Sequence, residues 1–344
     1  MKIGYSFWGF LGPGVVDTPD GGRSHRRPLV DALAGLGHRL VFLQADRDRL
    51  EAGDALGHAF DAGLPDLDAL FLEWRWPIPG RNTTACGSPG HACDLHRQEE
   101  LLRHYTVGRR TPTVIWDKDR RLPATDPWRR HPGVAVCEAA LEPTSGAVSI
   151  LFPADDDRLD RAAPQTLATA DRPLPLLYVG NQYDRDEEFD RYFAPAAAVF
   201  PHAVAGKWPD NGRWPGVTFL GRLGFPAAME LYGKALATVL LLPKRYAQAG
   251  QMTQRIFEAV LGGCLPFCPA EVRYAERLVP EPLLVHDGAD VTRALRRLHA
   301  IAGTPAHARL LADCLGRLEP FRLSTQVRTL DTLLTSLVGA GAAR

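Results

Sequence analysis

Short apolar runs alternate with amphipathic segments along most of this sequence. Near the beginning, the run KIGYSFW is followed by a glycine-rich stretch, by a segment with apolar residues at Leu29, Val30, Leu33 and Leu36, and by HRLVFLQ. Apolar residues three or four positions apart form one face of a helix, whereas continuous apolar runs are typical of strands buried on both faces. The pattern predicts a strand, a loop, a helix and a strand, which is the first unit of a parallel α/β sheet.

The same alternation continues through the first half of the chain and restarts after an interruption. Further strands are predicted in DALFLEW, TPTVIWD, GVAVCEA and AVSILF, with a helix in DLHRQEELLRHY between the first two. Residues 153–175 are rich in Pro, Asp and Ala and show no clear strand, so we predict a linker there. After it, a second set of strands separated by helices is predicted in LPLLYVGN, HAVAGK, GVTFLGR, ATVLLLPK, CLPFCP and PLLVHD.

These two sets of elements predict an α/β protein made of two tandem Rossmann-like domains. We place the N-terminal domain at residues 1–160 and the C-terminal domain at residues 170–344, with an amphipathic helical tail that covers the second domain and can return to the first. A chain of 344 residues is longer than one core usually grows, which supports two domains. Ligands of such sheets bind beyond the carboxyl ends of the strands, so we expect the functional site in an interdomain cleft.

Composition and charge exclude several classes of protein. Hydrophobic residues make up 45% and charged residues 23% of the chain, and no apolar run is long enough to span a membrane. The N-terminus has no secretory cleavage site, so we expect a soluble, cytoplasmic protein. The 40 basic and 40 acidic side chains cancel, so net charge gives no reason to expect a nucleic-acid partner. The six cysteines are scattered, which favours free thiols over a disulfide framework.

The richest candidate chemistry lies in the segment LLLPKRYAQAGQMTQRIFEAVLGGCLPFCP. A predicted strand delivers Lys244 and Arg245 at its carboxyl end, and after a loop Thr253 begins a helix that carries Arg255 and Glu258. Lys and Arg donate charge-assisted hydrogen bonds suited to a diphosphate, and a carboxylate accepts hydrogen bonds from ribose hydroxyls. The segment predicts a nucleotide diphosphate site, and its alternative is an exposed helical ion pair between Arg255 and Glu258.

Four further positions are assigned to the same donor site. Gly180 and Asn181 end the strand LLYVGN, Arg222 follows GVTFLG, and Gln251 lies in the loop before the predicted helix. Glycine permits a tight turn, and Asn can bond to local backbone or to a ligand. For Gly180, Asn181 and Arg222 the alternative is a plain turn or surface role.

The stretch FEAVLGGCLPFCP resembles the glutamate-centred E-A-(L/M)-A-x-G-x-P motif of nucleotide-sugar glycosyltransferases of the GT-B fold. It is more similar to the glycosyltransferase-like group related to spore-maturation proteins, in which R-x-F-E-A precedes a small-G-x-x-P element. The resemblance implies that Glu258 holds the donor ribose and that Lys244, Arg245 and Arg255 lie near the diphosphate. Many retaining members carry a second glutamate eight positions earlier, where this sequence has Gly250, so the retaining assignment does not carry over.

A long loop after the first predicted strand, at residues 9–22, is the candidate acceptor-side element. Its glycines lack the G-x-G-x-x-G spacing of dinucleotide-binding proteins, which argues against a dehydrogenase. By the resemblance to GT-B enzymes, this loop faces the cleft. We therefore assign Gly12, Gly14 and Asp17 to the acceptor side of the site.

Three side chains in the N-terminal half are candidate catalytic groups. Glu73 ends DALFLEW and Asp117 ends TPTVIWD, and a carboxylate in the cleft can act as general base on an acceptor hydroxyl. His25, which follows the long loop, is the third candidate. For the two carboxylates the alternative is a solvated charge at a strand end or an ion pair, with Arg75 or with Lys118.

The segment CGSPGHACDLH groups Cys86, His91, Cys93 and His96, which are residue types that ligate zinc. Because the spacing is not that of a recognised zinc knuckle, we predict no metal site and an ordinary loop with a helix N-cap at Asp94. A zinc site and a loop disulfide are the alternatives.

Together these observations predict a hexosyltransferase that moves a sugar from a nucleotide diphosphate donor to a hydroxyl of a small molecule or glycan. The family resemblance implies metal independence, because Lys, Arg and helix N-termini neutralise the departing diphosphate in GT-B enzymes, and it implies no cofactor besides the nucleotide-sugar co-substrate. The alternatives are a nucleotide-sugar epimerase, a noncatalytic nucleotide-sugar binding protein, which Gly250 favours, and a glycosyltransferase that modifies DNA bases. The last would use a basic face formed by Arg75, Arg97, Arg109, Arg110, Arg120 and Arg121.

Overall fold

The computed structural model describes residues 1–16 and 21–342. The first half of the chain forms a parallel sheet with the strand order β3-β2-β1-β4-β5-β6-β7. Its strands are β1 (Lys2–Ser6), β2 (Arg39–Phe42), β3 (Ala59–Phe60), β4 (Ala69–Glu73), β5 (Thr113–Asp117), β6 (Val134–Glu138) and β7 (Val148–Ser149). The sheet confirms the first set of strands predicted from the apolar runs.

A second parallel sheet follows, with the order β10-β9-β8-β11-β12-β13. Its strands are β8 (Leu174–Val179), β9 (His202–Ala205), β10 (Phe219–Gly221), β11 (Ala235–Val239), β12 (Leu265–Pro269) and β13 (Leu284–Val285). The two sheets confirm the prediction of tandem Rossmann-like units. β4, β5, β11 and β12 are buried along their whole length, which explains why they appear in the sequence as nearly continuous apolar runs.

Helices cover the sheets and connect their strands. They are α1 (Arg26–Gly35), α2 (Arg47–Ala52), α3 (Asp94–Leu101), α4 (Asp156–Arg161), α5 (Pro164–Thr169), α6 (Asp186–Glu188), α7 (Ala194–Ala197), α8 (Phe225–Lys234), α9 (Lys244–Ala247), α10 (Arg255–Leu261), α11 (Ala275–Leu278), α12 (Gly288–Ile301), α13 (Pro305–Gly316) and α14 (Leu323–Ala342). A π-helical segment at Leu102–Gly108 extends α3, and another at Phe189–Phe193 joins α6 to α7.

Two local predictions differ from the structure. The predicted linker at residues 153–175 contains α4 and α5, and α5 packs against α13, so this segment is part of the packed structure. The helix expected from Thr253 begins at Arg255, with Gln254 at its N-cap position. The first difference concerns two whole helices of six residues and the second the start of another short helix, and in such short stretches apolar spacing gives little information.

In each sheet the chain reverses the direction in which it adds strands. The first sheet grows from β1 through β2 to β3 and then from β4 on the other side of β1, and the second repeats this order with β8 and β11. Ligands of open α/β sheets bind at such switch points, outside the carboxyl ends of the strands. The loops after β1, β4, β8 and β11 are therefore the places to examine for a site.

The long helix α14 leaves the second half of the molecule and packs against α1, β5 and β6 of the first. Leu330 and Leu334 are fully buried in this contact region, and Gln326 Oε1 accepts a hydrogen bond of 2.8 Å from the backbone N–H of Leu151. The predicted return of the tail to the first domain is confirmed. Within the part of the chain that the structure describes, no helix combines the length and apolarity needed to cross a bilayer.

Candidate functional site

The loop after β1 is held by carboxylates from the segment around α2. The backbone N–H groups of Leu11 and Gly12 donate to Asp48, and the N–H of Gly14 donates to Asp54 Oδ2 at 2.8 Å. A Cβ atom at Gly12 would lie 2.5 Å from Asp54 Oδ2, and one at Gly14 would lie 2.8 Å from Ala52. Both glycines therefore allow the close approach of this loop to α2. The third predicted loop residue, Asp17, lies outside the described residues.

A buried hydrogen bond joins this loop region to the predicted donor helix. Ser24, which lies just before α1, donates from Oγ to Glu258 Oε1 over 2.5 Å. The two side chains are only 6% and 4% exposed. Since 234 positions separate them, the contact brings the two halves of the chain together at Glu258.

Glu73, one of the catalytic candidates, lies at the centre of a buried charge cluster. Its carboxylate accepts hydrogen bonds from Arg26 Nε at 2.7 Å and Tyr5 Oη at 2.6 Å, and Lys118 Nζ lies 2.8 Å away. Burial alone would raise the pKa of Glu73, but Arg26, Lys118 and Arg75 outweigh it and hold the pKa well below its usual range. A carboxylate so stabilised as an anion is a poor proton acceptor, and this geometry suits a structural role.

The carboxylate of Asp117 also stabilises the structure around it. It is 1% exposed, and its two oxygens accept hydrogen bonds from the backbone N–H groups of Arg121 and Leu122 at 2.9 and 2.8 Å. Burial raises the pKa of Asp117, although these two hydrogen bonds oppose the change. The carboxylate thus caps the turn that follows β5.

His25 is the catalytic candidate nearest to the predicted donor residues. It directly follows Ser24, the partner of Glu258, and it is 2% exposed. Its ring makes edge contacts with Trp116 and Phe152, at centroid distances of 5.9 and 4.8 Å. The imidazole is therefore held rigidly at the N-terminal side of the cleft.

Arg255 is a buried cation at the start of α10. Its side chain is only 8% exposed, and its guanidinium lies over the ring of Tyr178 with the carbon 5.9 Å from the ring centroid. Among the residues that the structure describes, Nε has no hydrogen-bond partner and no carboxylate pairs with the group. Burying a charge without a partner is costly unless a ligand supplies the opposite charge.

A second buried guanidinium, that of Arg185, lies beside Arg255. It donates to the backbone carbonyls of Leu241, Asn181 and Tyr183 over 3.2, 3.3 and 2.6 Å. Burial lowers the pKa of Arg185, and the charge of Arg255 lowers it further. The ion pairs found in the described ranges do not include Arg185 either, so two buried guanidinium groups without a carboxylate partner lie together near the carboxyl ends of β8 and β11.

Three hydrogen bonds join the loop after β5 to the segment that begins with α9. Asp119 accepts from Tyr246 Oη at 2.6 Å through its carboxylate and from Arg245 Nε at 3.1 Å through its carbonyl. Gln251 Nε2 donates to the carbonyl of Lys118 at 2.5 Å. Gln251 is fully buried, and its Oε1 atom has no partner within residues 1–16 and 21–342, so it offers an acceptor beside the cleft.

Gly250 adopts a conformation that excludes a side chain. Its φ is +62°, and a Cβ atom would lie 2.7 Å from the carbonyl oxygen of Arg273 and 2.8 Å from the ring of Tyr274. A glutamate at this position would require the backbone to move. The absence of the second glutamate from the donor motif is thus built into the local geometry.

A cavity of 690 Å³ opens at the carboxyl ends of the second sheet. Its walls include the predicted donor residues Lys244 and Arg245 together with Arg185. Lys244 is exposed and pairs with Glu187, while Arg245 Nη1 lies 2.6 Å from Asp184 Oδ2. The sequence predicted that these two cations lie at the carboxyl end of the strand. They instead begin the short helix α9, because β11 stops at Val239.

The remaining donor candidates differ in their surroundings. A Cβ atom at Gly180 would lie 2.4 Å from Tyr178 Oη, and Asn181 Oδ1 accepts from the backbone N–H of Lys207 at 2.7 Å, so both residues shape the turn after β8. Thr253 is buried and its Oγ1 lies 3.5 Å from Arg255 Nη1, whereas Arg222 is exposed after the edge strand β10. Arg255 and Glu258 are both buried, so the alternative of an exposed ion pair is wrong.

Three residues that contribute to this geometry were not assigned from the sequence: Ser24, Arg185 and Tyr246. Arg185 lies a few residues beyond the end of β8, so the rule that ligands bind beyond strand ends could have drawn attention to it. Ser24 and Tyr246 matter through partners more than 120 positions away, and no local pattern marks them.

The Cys86 segment is organised differently from the prediction. One potential ligand atom from each of Cys86, His91, Cys93 and His96 lies within 4.8 Å of the other three. The N-cap residue of α3 is Cys93 and makes no side-chain cap, so the predicted N-cap at Asp94 is wrong. Asp94 is the first helical residue, and its Oδ1 accepts from Asn82 Nδ2 over 2.9 Å, which turns the carboxylate away from the helix end.

No protein-family model matches the chain, and no curated protein matches it in sequence. Solved structures do match. Phage T4 beta-glucosyltransferase bound to UDP-glucose is 12% identical, with a TM-score of 0.64 over 97% of this chain and 99% of that chain. AviGT4, a glycosyltransferase involved in avilamycin A biosynthesis, is 16% identical, with a TM-score of 0.60 over 98% of both chains.

A UDP-forming α,α-trehalose-phosphate synthase from Burkholderia xenovorans is similar over 98% of this chain and 99% of that chain, with 12% identity and a TM-score of 0.54. At such identities the likeness concerns the fold. Each of these similarities extends over nearly the whole of both chains, so it includes both sheets and the connections between them. The chain therefore has the GT-B fold of glycosyltransferases.

Proposed function

We propose that the protein is a glycosyltransferase that takes a sugar from a nucleotide diphosphate donor bound at the carboxyl ends of the second sheet. The observation that carries this proposal is the buried guanidinium of Arg255, which has no anionic partner in the described ranges and lies beside the equally buried Arg185. A diphosphate is the ligand that would supply the missing negative charge. Glu258, one turn further along α10, would accept hydrogen bonds from the ribose hydroxyls.

The same cations explain how the reaction would be assisted. When the sugar leaves, negative charge develops on the diphosphate, and donors fixed in a buried site stabilise that charge without reorganising. Arg255 and Arg185 are held in this way, while Lys244 and Arg245 line the adjoining cavity. We therefore propose a metal-independent reaction, which should proceed equally well without added Mg²⁺ or Mn²⁺. A structure of T4 phage beta-glucosyltransferase holds UDP with Mn²⁺, so that ion is the one to test first.

Uridine diphosphate sugars are the donors to examine first. The T4 phage enzyme has been solved with UDP-glucose, and its fold is similar to that of this chain. The closer likeness to the spore-maturation-related group, the division at residues 160–170 and the cytoplasmic location stay predictions.

For the acceptor, we propose a hydroxyl of a small molecule or glycan. The DNA alternative is represented among similar structures, because the T4 phage protein is a DNA-modifying enzyme. A DNA acceptor would use a basic face of six arginines. Five of these arginines lie within ion-pair distance of a carboxylate: Arg75, Arg97, Arg109, Arg120 and Arg121. A face neutralised in this way favours an acceptor without a phosphate backbone.

Among the catalytic candidates, we propose His25 as the residue to test as base. Glu73 is held as an anion by three cations, and both oxygens of Asp117 accept backbone hydrogen bonds. His25 adjoins the Ser24 contact to Glu258, and an imidazole nitrogen can accept a proton from an acceptor hydroxyl.

The decisive experiment measures thermal stabilisation by a panel of nucleotide diphosphates and their sugars. A ligand that binds only the folded state stabilises it by about 2.7 kcal/mol at 100 times its Kd. We expect a selective shift that Glu258→Ala abolishes and that Glu230→Ala, which removes an exposed carboxylate from α8, leaves unchanged.

Product analysis with a labelled donor then identifies the reaction. Transfer of label to a small acceptor supports the proposal, inversion of the sugar ring supports an epimerase, and binding without turnover supports a noncatalytic protein. The donor-site proposal fails if no nucleotide shifts the melting temperature of the folded protein.

A further inference from the structure

Four side chains of metal-ligating types, three from the segment between β4 and α3 and one from the first turn of α3, converge on one point outside the donor site. The ligand atoms of Cys86, His91, Cys93 and His96 all lie within 4.8 Å of one another. A tetrahedral zinc ion, with Zn–S bonds of about 2.3 Å and Zn–N bonds of about 2.0–2.1 Å, holds its ligand atoms roughly 3.3–3.8 Å apart. The four atoms are therefore already close to the spacing that such an ion requires.

The contacts of the two histidines support a metal rather than a chance grouping. His91 Nδ1 lies 3.0 Å from Thr84 Oγ1, and donation to that hydroxyl leaves the lone pair of Nε2 available to a cation. This Nε2 atom is buried and has no hydrogen-bond partner among residues 1–16 and 21–342. The Nδ1 atom of His96 lies 3.0 Å from Cys86 Sγ, so the second imidazole also points at a thiol of the group.

A disulfide between the two cysteines is the competing interpretation. It would use only Cys86 and Cys93, and it would give no reason for His91 and His96 to turn their ring nitrogens toward the same point. A zinc ion uses all four groups. Two thiolates and two imidazoles are a common ligand set of structural zinc sites, and their combined charge neutralises that of Zn²⁺.

We infer that these four side chains form a closed zinc site that ties the segment after β4 to the start of α3. Four protein ligands complete the tetrahedral shell, so the ion would be structural and would leave no position for a substrate. The helix it anchors also supports the cleft. Gln98 on α3 accepts from the backbone N–H of Arg75 at 2.7 Å and donates to its carbonyl at 3.1 Å.

Metal content tests this inference without reference to activity. The full chain, prepared with reductant and dialysed against Zn²⁺ and then against metal-free buffer, should retain one zinc ion per chain by mass spectrometry of its metals. Replacement by Co²⁺ should give the visible d–d bands and near-ultraviolet thiolate-to-cobalt bands of a tetrahedral site. These measurements on the unaltered protein decide the inference even if a variant fails to fold.

Three variants sharpen the test. Cys93→Ser should lose the bound zinc, while Cys314→Ala, which removes a buried thiol from α13, should keep one ion per chain. Thr84→Ala should keep the site but weaken zinc binding by about 10- to 100-fold in competition with a chelator, because the hydroxyl orients His91. Zinc content below one ion per several chains, zinc retained in full by Cys93→Ser, or a Cys86–Cys93 disulfide formed under reductant would overturn the inference.

Discussion

Buried charges on the two sides of the cleft differ in whether an oppositely charged side chain lies next to them. On the N-terminal side, Glu73 is surrounded by Arg26, Lys118 and Arg75, so each buried charge has an opposite neighbour. On the C-terminal side, Arg255 and Arg185 are also buried, yet no described carboxylate pairs with either. The charges of the first arrangement are balanced within the chain, whereas under the proposed function an anionic ligand would balance those of the second.

This difference distinguishes groups that stabilise the fold from groups that we propose bind a ligand. A carboxylate at a strand end, such as Glu73, has the residue type and position of a catalytic base, and only its partners show that it is occupied. Removing a charge from the first side should therefore cost stability, and removing one from the second should cost binding.

The largest expected effect comes from Glu73→Gln. The substitution removes the buried negative charge that Arg26, Lys118 and Arg75 share, and breaking a buried ion pair costs about 3–5 kcal/mol. Urea denaturation at neutral pH measures this loss. As a control, Glu51→Gln removes a more exposed partner of Arg47 and should change the free energy of unfolding by less than about 1 kcal/mol.

The pH dependence of the Glu73→Gln effect follows from the depressed pKa of Glu73. A carboxyl group with a lowered pKa in the folded state contributes its full stability above its unfolded pKa, near 4.5, and loses it as pH falls through the folded value. The stability difference between wild type and Glu73→Gln should be constant above about pH 5 and shrink in more acid solution. A difference that grows on acidification would contradict the buried-cluster interpretation.

Arg255→Gln should show the opposite behaviour. Because it removes a buried charge with no internal partner, the free energy of unfolding should stay the same or rise, while donor affinity falls. Loss of a hydrogen bond to a charged group costs about 1.5–3 kcal/mol, or roughly 10- to 150-fold in Kd. Calorimetric titration with UDP and with UDP-glucose measures the affinity. Arg296→Gln, on the exposed side of α12, is the matched control.

Ser24→Ala should have the smallest effect of the three. It removes the hydroxyl that donates to Glu258 across the two halves and should lower the free energy of unfolding by about 1–2 kcal/mol. Denaturation of the protein without and with a saturating nucleotide would show whether the ligand replaces this hydrogen bond. A loss that persists unchanged with ligand bound would mean that Ser24 and the ribose do not share Glu258.

The fold was predictable because its strands are buried on both faces and therefore appear as continuous apolar runs, as in β4 and β5. The donor segment stays a prediction, which rests on cations and a carboxylate grouped within one stretch of chain. The contacts that determine the charge and hydrogen bonding of Glu258 and Glu73 come mostly from residues far away in sequence. Ser24 and Glu258 meet across 234 positions, and three partners of Glu73, namely Tyr5, Arg26 and Lys118, come from three other segments of the chain.

Hydrophobic periodicity also could not predict the shortest helices. Lys244 and Arg245 begin a four-residue helix whose sequence is too short to show a helical repeat. The convergence of Cys86 and His96 depends on how residues 77–93 turn back on α3, which spacing alone does not determine.

The packing of α14 on α1 has a consequence for how the chain is made. Synthesis proceeds from the N-terminus, and early domains usually fold before later ones emerge. The outer side of α1 packs against α14, so this contact can form only after residues 323–342 have left the ribosome. Until α14 has been synthesised, the surface of α1, β5 and β6 that it covers is open to water.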